Sequence, residues 1–308
     1  MARAAMIQHE RTVPTGSWWS RHSRQLAPYL FLAPFLVLFA VFLIYPVIDS
    51  LRLSLYDAKG LSDREFIGLK NYQSLATDDR FRRALVNTCY FALGTVCVQL
   101  PLALLLALAL NSQRLRLRNV YRFGFFVPYV TSAVVVSFMF ILVFDKNYGL
   151  LNNALAAISV PKLPWLTSTQ WAMPALIILG LWTWVGINSL YFHAGLQGIS
   201  PELIEAARID GASPLQIFAR IILPLLRPVT VFVFTIGVIG SFHLFAQPYL
   251  LTQGGPQDST LTLTMYLYQK GFRSFDLGYA AAIGYAIVLI TGAVALLQIR
   301  LIGGVKED

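Results

Sequence analysis

Few groups in this sequence could carry chemistry, and their spacing favours binding over bond-making. The four histidines (His9, His22, His193 and His243) are scattered, with no pair at metal-ligand spacing. The six lysines never follow a glycine, so no Gly-Lys-Ser or Gly-Lys-Thr loop exists to cradle a nucleotide phosphate. What remains is uncharged and sits in apolar stretches. Trp182, Val185, Gly186 and Ser189 fall at helical spacing on one face, and Gly186 would let a ligand approach the backbone. His243 and Gln247, four residues apart, read as neighbours on one helical face, with Ser241 nearby. Tyr129 follows Pro128. Aromatic rings with short polar groups suit an uncharged, hydroxyl-bearing ligand, and a lone histidine among apolar residues is a functional hypothesis in its own right. Helix packing is the competing role for each of them.

The elements that must position these residues follow from the charge pattern. The 308 residues are 56% apolar and 13% charged, about half the 25% or so of a soluble domain. Charged residues are absent from 26–48, 84–113, 123–144, 163–201, 228–257 and 277–299, each at least 22 residues long. A bilayer core takes about 20 apolar residues per helix. The expected fold is therefore all-α, a polytopic membrane protein with six transmembrane helices at about 28–49, 86–111, 120–144, 171–193, 228–250 and 277–300, within a domain covering 26–302. The first helix is expected to begin near Pro28, uncleaved, because its apolar stretch is longer than a signal-peptide core. The net charge of +9 does not imply nucleic acid, because the basic residues flank apolar spans and form no separate domain. Arg114, Arg116, Arg118 and Arg122 occupy a short acid-free connector, which places it, the tail 1–25 and both termini in the cytoplasm. Cys89 and Cys97, eight apart, are too distant along one helix for a disulfide.

The most organised loop is 200–227, on the same side. Ser200-Pro201 reads as an N-cap followed by proline at the first helical position, with Glu202 in the first turn. Gly211 stops that helix, and Ser213 with Gln216 forms a capping box for the next. Leu223-Pro224 and Arg227-Pro228 then break the chain into the fifth span. Leu203, Ile204, Ala207, Ile217 and Ile221 offer apolar anchors; Glu205, Arg208 and Asp210 offer polar contacts. A plain connector needs only a few residues.

Glu205-Ala206-Ala207, then Gly211, then Ile222-Leu223-Pro224 resembles the EAA motif of permease subunits in bacterial binding-protein-dependent ABC importers. Phe125-Phe126-Val127-Pro128 and Leu250-Leu251-Thr252-Gln253-Gly254-Gly255-Pro256, with Thr260, resemble the carbohydrate-uptake branch. The glycine-glycine-proline loop resembles the first of the two dissimilar permeases in maltose-type and glycerol-3-phosphate-type systems. The resemblance implies that 200–227 is the coupling loop docking on a cytoplasmic ATPase, with Glu205, Ala206, Ala207, Arg208, Asp210, Gly211, Leu223 and Pro224 as its coupling residues. It implies a second, different permease, two copies of the ATPase and an extracytoplasmic solute-binding protein as partners in the bilayer. ATP and magnesium would be bound by the ATPase and no cofactor by this chain. It also implies a solute pathway near mid-membrane, with Tyr129, Trp182, Gly186, Ser189 and His243 at its pocket-like positions. The spans contain no carboxylate or lysine for ion coupling, which disfavours secondary transport. A passive channel or a membrane scaffold without an ATPase is the alternative, and it leaves the doubly capped loop without a purpose.

Overall fold

The structure is a computed structural model describing residues 18–60, 64–112 and 115–302; most of the expected tail and Arg114 lie outside the described residues. The chain divides into two compact units, 1–52 and 53–308. In the first, α1 (Trp18–Phe39) passes through a π-helical turn (Ala40–Ile44) into α2 (Tyr45–Leu53). The helix starts ten residues before Pro28 and carries Pro28 and Pro34 internally. No residue of α2 is buried, and Phe31, Phe35 and Phe42 are exposed. A helix apolar all round with no buried face is built for lipid or for a neighbouring helix.

The second unit opens with a small antiparallel pair, β1 (Tyr56–Asp57) and β2 (Glu65–Phe66), and α3 (Lys70–Thr77). Then come α4 (Asp79–Asn111), α5 (Arg118–Val130), α6 (Ala133–Val143), α7 (Leu150–Ala157) and α8 (Ala172–Gln197). The chain continues through α9 (Pro201–Ile209), α10 (Pro214–Ile217), a π-helical turn (Phe218–Ile222), α11 (Leu223–Leu225), α12 (Arg227–Phe242) and α13 (Ala246–Leu251). It ends with α14 (Leu263–Tyr268), a third π-helical turn (Gln269–Arg273) and α15 (Leu277–Ile302).

Four helical stretches, Ala27–Leu53, α4, α8 and Leu277–Gln298, are long and apolar enough to cross a membrane; two bent pairs bring the count to six if each is one span. The third expected span is not one straight helix. α5 and α6 meet at 98°, because Thr131 and Ser132 are extended and the Ser132 hydroxyl accepts from Val134 N to start a new helix. The second pair bends by 63° between Leu225 and Arg227.

Prolines explain two of the π-helical turns. Pro46 and Pro224 lack an N–H, and their rings press on the carbonyl four residues back. Those carbonyls belong to Phe42 and Arg220, each inside the π-helical turn that precedes the proline and relieves the clash. α4 is the spine of the unit. Its buried Ala84, Ala92, Ala103 and Ala107 let α8 and α12 approach closely. One core joins α4 and α12 to α14 and α15 through Val96, Phe242, Tyr266 and Ile283. Another joins α6 to α8 through Phe140, Phe144 and Leu176, and a third gathers Ala103, Phe192, Leu196 and Val233.

Candidate functional site

The α9–α10 element forms as its residues dictate. The Ser200 hydroxyl accepts from Glu202 N at 3.2 Å, with Pro201 at the first helical position. At the other end Ala212 N donates to Ala207 O at 2.9 Å, and Gly211 takes φ +80°, the left-handed turn that glycine adopts without strain. Ser213 and Gln216 close the capping box: Ser213 N donates to Gln216 Oε1 at 2.7 Å, and Gln216 N to the Ser213 hydroxyl at 3.4 Å. The element is thus fixed by its own hydrogen bonds and not by burial. No residue of α9 is buried; Leu203, Ile209 (81%) and Leu215 present apolar side chains outward. Only Ile217 is anchored inside. Behind α9 lies a cleft of about 850 Å³ lined by Glu205, Arg208 and Ile204 on one side and by Asn111, Leu196 and Gln197 at the ends of α4 and α8. Leu223 and Pro224 form α11, exposed at the bend into α12. Asp210 closes α9, its N–H bonded to Ala206 O.

The residues expected along the pathway are not gathered in one place. Tyr129 and Trp182 are exposed on α5 and α8. Trp182 packs on Phe140 with ring centroids 5.2 Å apart. With Gly186 it lines an apolar groove of about 690 Å³ whose other wall is Tyr121, Phe125 and Pro128 of α5. Gly186 itself is buried against α5. An ideal Cβ there would stand 2.6 Å from the Phe125 carbonyl carbon and closer still to its oxygen, so the close approach expected of a ligand is made by a helix. Ser189 is buried, and its hydroxyl donates to Gly186 O at 2.6 Å within its own helix. His243 and Gln247 do not share a helical face. Pro248 cannot extend a helix over the Leu244 carbonyl, so α12 stops at Phe242 and α13 starts at Ala246. The freed carbonyls of Leu244 and Phe242 accept from Thr262 Oγ1 at 2.7 Å and Thr264 Oγ1 at 2.9 Å. His243 is exposed and Gln247 half-buried at that break.

The sequence reading missed a second cleft, between α4, α8 and α12. It is lined by Thr95, Gln99, Gly180, Trp184, Gly237 and Gly240, with Ser241 and Leu244 at its edge. Gln99 is 3% exposed, and its Nε2 has no hydrogen-bond partner. A buried amide donor without an acceptor is costly, and here it faces a space of about 10 Å³, room for about one water. The glycines make the space: a Cβ on Gly237 would meet Val96 at 3.2 Å and Gln99 Nε2 at 3.7 Å, and one on Gly240 would meet the Trp184 ring at 3.0 Å. The available signal was the amide of Gln99 inside an uncharged segment and the pair Gly237 and Gly240, three apart in another. Thr95 and Ser241 bond back to Phe91 O and Gly237 O. The cleft thus pairs an aromatic face with one strong unsatisfied donor, in a space that opens only if the helices part.

Comparison with known proteins places these features. Residues 99–303 match the family described as binding-protein-dependent transport system inner membrane component. The arabinooligosaccharides transport system permease protein AraP of Bacillus subtilis (strain 168) is 39% identical over 289 residues, covering 93% of this chain and 92% of that protein. The lactose transport system permease protein LacF of Rhizobium radiobacter is 39% identical over 275 residues, covering 88% and 92%. In fold, the chain resembles one from the crystal structure of a bacterial alginate ABC transporter in complex with an alginate pentasaccharide-bound periplasmic protein. The TM-score is 0.80 at 24% identity, covering 92% of this chain and 96% of that one.

Proposed function

Since the chain belongs to the family of binding-protein-dependent transport system inner membrane components, we propose that it is the permease subunit of an ATP-driven importer of a sugar or sugar-like solute. It would form half of the translocation pathway beside a second, dissimilar permease, as the first of that pair. Two copies of a cytoplasmic ABC ATPase would supply ATP and magnesium chemistry, and an extracytoplasmic binding protein would deliver the solute. In this reading both termini, the Arg116–Arg122 connector and the α9–α10 element face the cytoplasm. The relatives transport arabinooligosaccharides and lactose by name, which supports a glycan over other solutes. The uncharged cleft, closed here to about one water, carries groups that such a solute would use once the helices part: Trp184 offers a ring face and Gln99 a hydrogen-bond donor to a hydroxyl.

The observation that carries the reading is α9: a self-capped helix with apolar side chains exposed and no buried residue. Such a helix awaits a partner. A channel or scaffold has no use for it. The route from that partner to the solute is continuous in the chain. A push on α9 passes through Gly211 to α10, then through the π-helical turn and α11 to the 63° bend, and so to α12, which bears Gly237, Gly240 and Ser241 of the cleft wall. Glu205 and Arg208 would transmit the push, while Tyr129, Trp182, Gly186, Ser189, His243 and Gln247 would flank the path opened by helix separation.

The test is Gly211→Asp in the assembled transporter. An ideal Cβ at Gly211 meets nothing within 4 Å, so the substitution does not clash. It strains a residue at φ +80° by about 1–2 kcal/mol and adds a negative charge at the C-terminal end of α9, where the dipole is already negative. The variant is expected to insert normally and lose ATP-dependent uptake. Wild-type uptake would overturn the assignment of the turn, and uptake that persists after ATP depletion would overturn the importer itself.

A further inference from the structure

α5 is fastened to α8 at two levels. Near the middle of α8 the Phe125 carbonyl sits against the bare backbone of Gly186. Near its end Arg122 donates through Nη2 to Nε2 of His193. We infer that Arg122 and His193 form a latch that holds α5 against α8 while the transporter rests, and that both are positioning residues which restrain ATP hydrolysis until solute is delivered. The inference rests on the importer reading.

Arg122 is the last charge before the uncharged stretch 123–144, and His193 lies inside the uncharged stretch 163–201. A partly buried cation at such a place ordinarily meets a carboxylate. Among the described residues Arg122 has no ion-pair partner, and the acceptor it uses is an imidazole only 5% exposed. A guanidinium has donors alone, so Nε2 of His193 must be the accepting nitrogen and the ring must be uncharged. Gln197, one turn further along α8, donates to the same Nε2 at 3.2 Å. Two donors from two helices thus converge on one lone pair.

A tie built only for stability would be bonded throughout, as the buried Asn152 is with its five hydrogen bonds. The Arg122 contact is not: its Nε is buried and makes no hydrogen bond. A charged donor left half satisfied holds α5 in place without fixing it permanently. The position of the contact joins two parts of the machinery. Gln197 lines the cleft behind α9, together with Leu196, Glu205 and Arg208. Arg122 belongs to the helix whose Phe125 and Pro128 wall the groove opposite Trp182. A shift of α9 against the end of α8 therefore reaches His193 through Gln197. Once Nε2 turns away from Arg122, α5 is free to leave α8.

The experiment uses the complete transporter in lipid nanodiscs, reading ATP hydrolysis without binding protein and at saturating binding protein. Arg122→Met and His193→Leu each remove one partner of a charge-assisted hydrogen bond. Each is expected to raise hydrolysis without binding protein about tenfold and to leave the saturated rate near that of the wild type. Because the two residues act through each other, the double variant is no faster than either single one. His193→Gln, whose carboxamide oxygen can accept where Nε2 does, restores the wild-type ratio of the two rates. If Arg122→Met does not assemble, Arg122→Gln, which keeps a donor without the charge, carries the test with a smaller rise. Variants that unfold at a lower temperature but hydrolyse like the wild type would make the contact merely structural and overturn the latch. Single effects that multiply in the double variant would overturn it too, and both results leave the importer intact. A wild-type complex that hydrolyses no ATP would overturn the importer reading, and the latch with it.

Discussion

Gly186 offers the sharpest separation between a residue that serves a solute and one that serves the fold. An alanine Cβ would lie 2.6 Å from the Phe125 carbonyl carbon and nearer to its oxygen, whereas carbon atoms pack best at about 3.5–4.0 Å. α5 and α8 would have to separate by more than about 1 Å, because the obstacle is backbone and cannot rotate away. Overpacking of this kind costs about 1–3 kcal/mol, and the immobile neighbour puts Gly186→Ala at the upper end. For a chain of this size that is about 5–10 °C in the apparent unfolding midpoint. The control is Gly292→Ala on α15, where a Cβ meets nothing within 4 Å; removing a helical glycine there should be neutral or raise the midpoint slightly. Thermal unfolding of the purified complex in mild detergent, followed by tryptophan fluorescence, measures both. If Gly186→Ala unfolds at the wild-type temperature and instead weakens solute-stimulated uptake, Gly186 serves the solute and the packing argument is wrong.

Two other substitutions probe residues away from the α9–α10 element. Asn152 is fully buried, donating to the carbonyls of Asp145, Lys146 and Leu163 and accepting from Leu163 N and Trp165 Nε1. Asn152→Leu strands several buried polar groups at once, about 3 kcal/mol or more, so trypsin should cut at Lys146 or Lys162 far faster than in the wild type; equal cleavage rates would contradict the role of this hub. Asp78 carries a pH signature. Burial alone would raise its carboxyl, but hydrogen bonds from Tyr266, Tyr279 and the amides of Phe81 and Arg80 outweigh that and hold it below the usual carboxylate range. A depressed carboxyl contributes stability above its unfolded pKa and loses it as pH falls through the folded value. The unfolding midpoint should therefore drop below about pH 4 by more in the wild type than in Asp78→Asn, and equal drops would show that Asp78 does not contribute.

The α9–α10 element was legible because it is local. Ser200, Pro201, Gly211, Ser213, Pro214 and Gln216 set caps and turns within a few residues of themselves, and the structure forms each where the spacing put it. The pathway was much less so, because helical spacing alone cannot say which side of a face belongs to a neighbour. Gly186 looked open to a ligand since nothing in 182–189 announces that Phe125 arrives there. His243 and Gln247 were paired on a helix that Pro248 interrupts, although the proline was visible and its reach of four residues is fixed chemistry. Gln99 was overlooked because its meaning depends on Gly180, Gly237 and Gly240, which come from two other helices. The ties that hold the start of α4 to the chain after α13 lie beyond sequence spacing altogether. Arg80 grips Asp258 through two hydrogen bonds at 2.9 and 3.0 Å, and Asn87 donates to Asp258 O and Leu261 O, across some 175 residues.

The interruptions and the closed cleft bear on the same requirement. A path through the bilayer must open without exposing unpaired backbone to lipid. Continuous helices would resist the bending that this takes. Here α12 is bounded at both ends by breaks whose polar groups are already satisfied. At one end the π-helical turn before Pro224 absorbs the proline within a hydrogen-bonded helix. At the other, Thr262 and Thr264 hold the carbonyls that Pro248 frees. The segment between those breaks carries Gly237 and Gly240, where bare backbone meets Gln99 and Trp184. Moving α12 as a unit therefore leaves its backbone hydrogen bonds intact and changes the space where the buried Gln99 donor lacks a partner. An arriving hydroxyl would satisfy Gln99, and closure after its release would leave the donor unpaired again. In the importer reading that asymmetry would favour the solute while the cleft is open without holding it so firmly that it cannot leave.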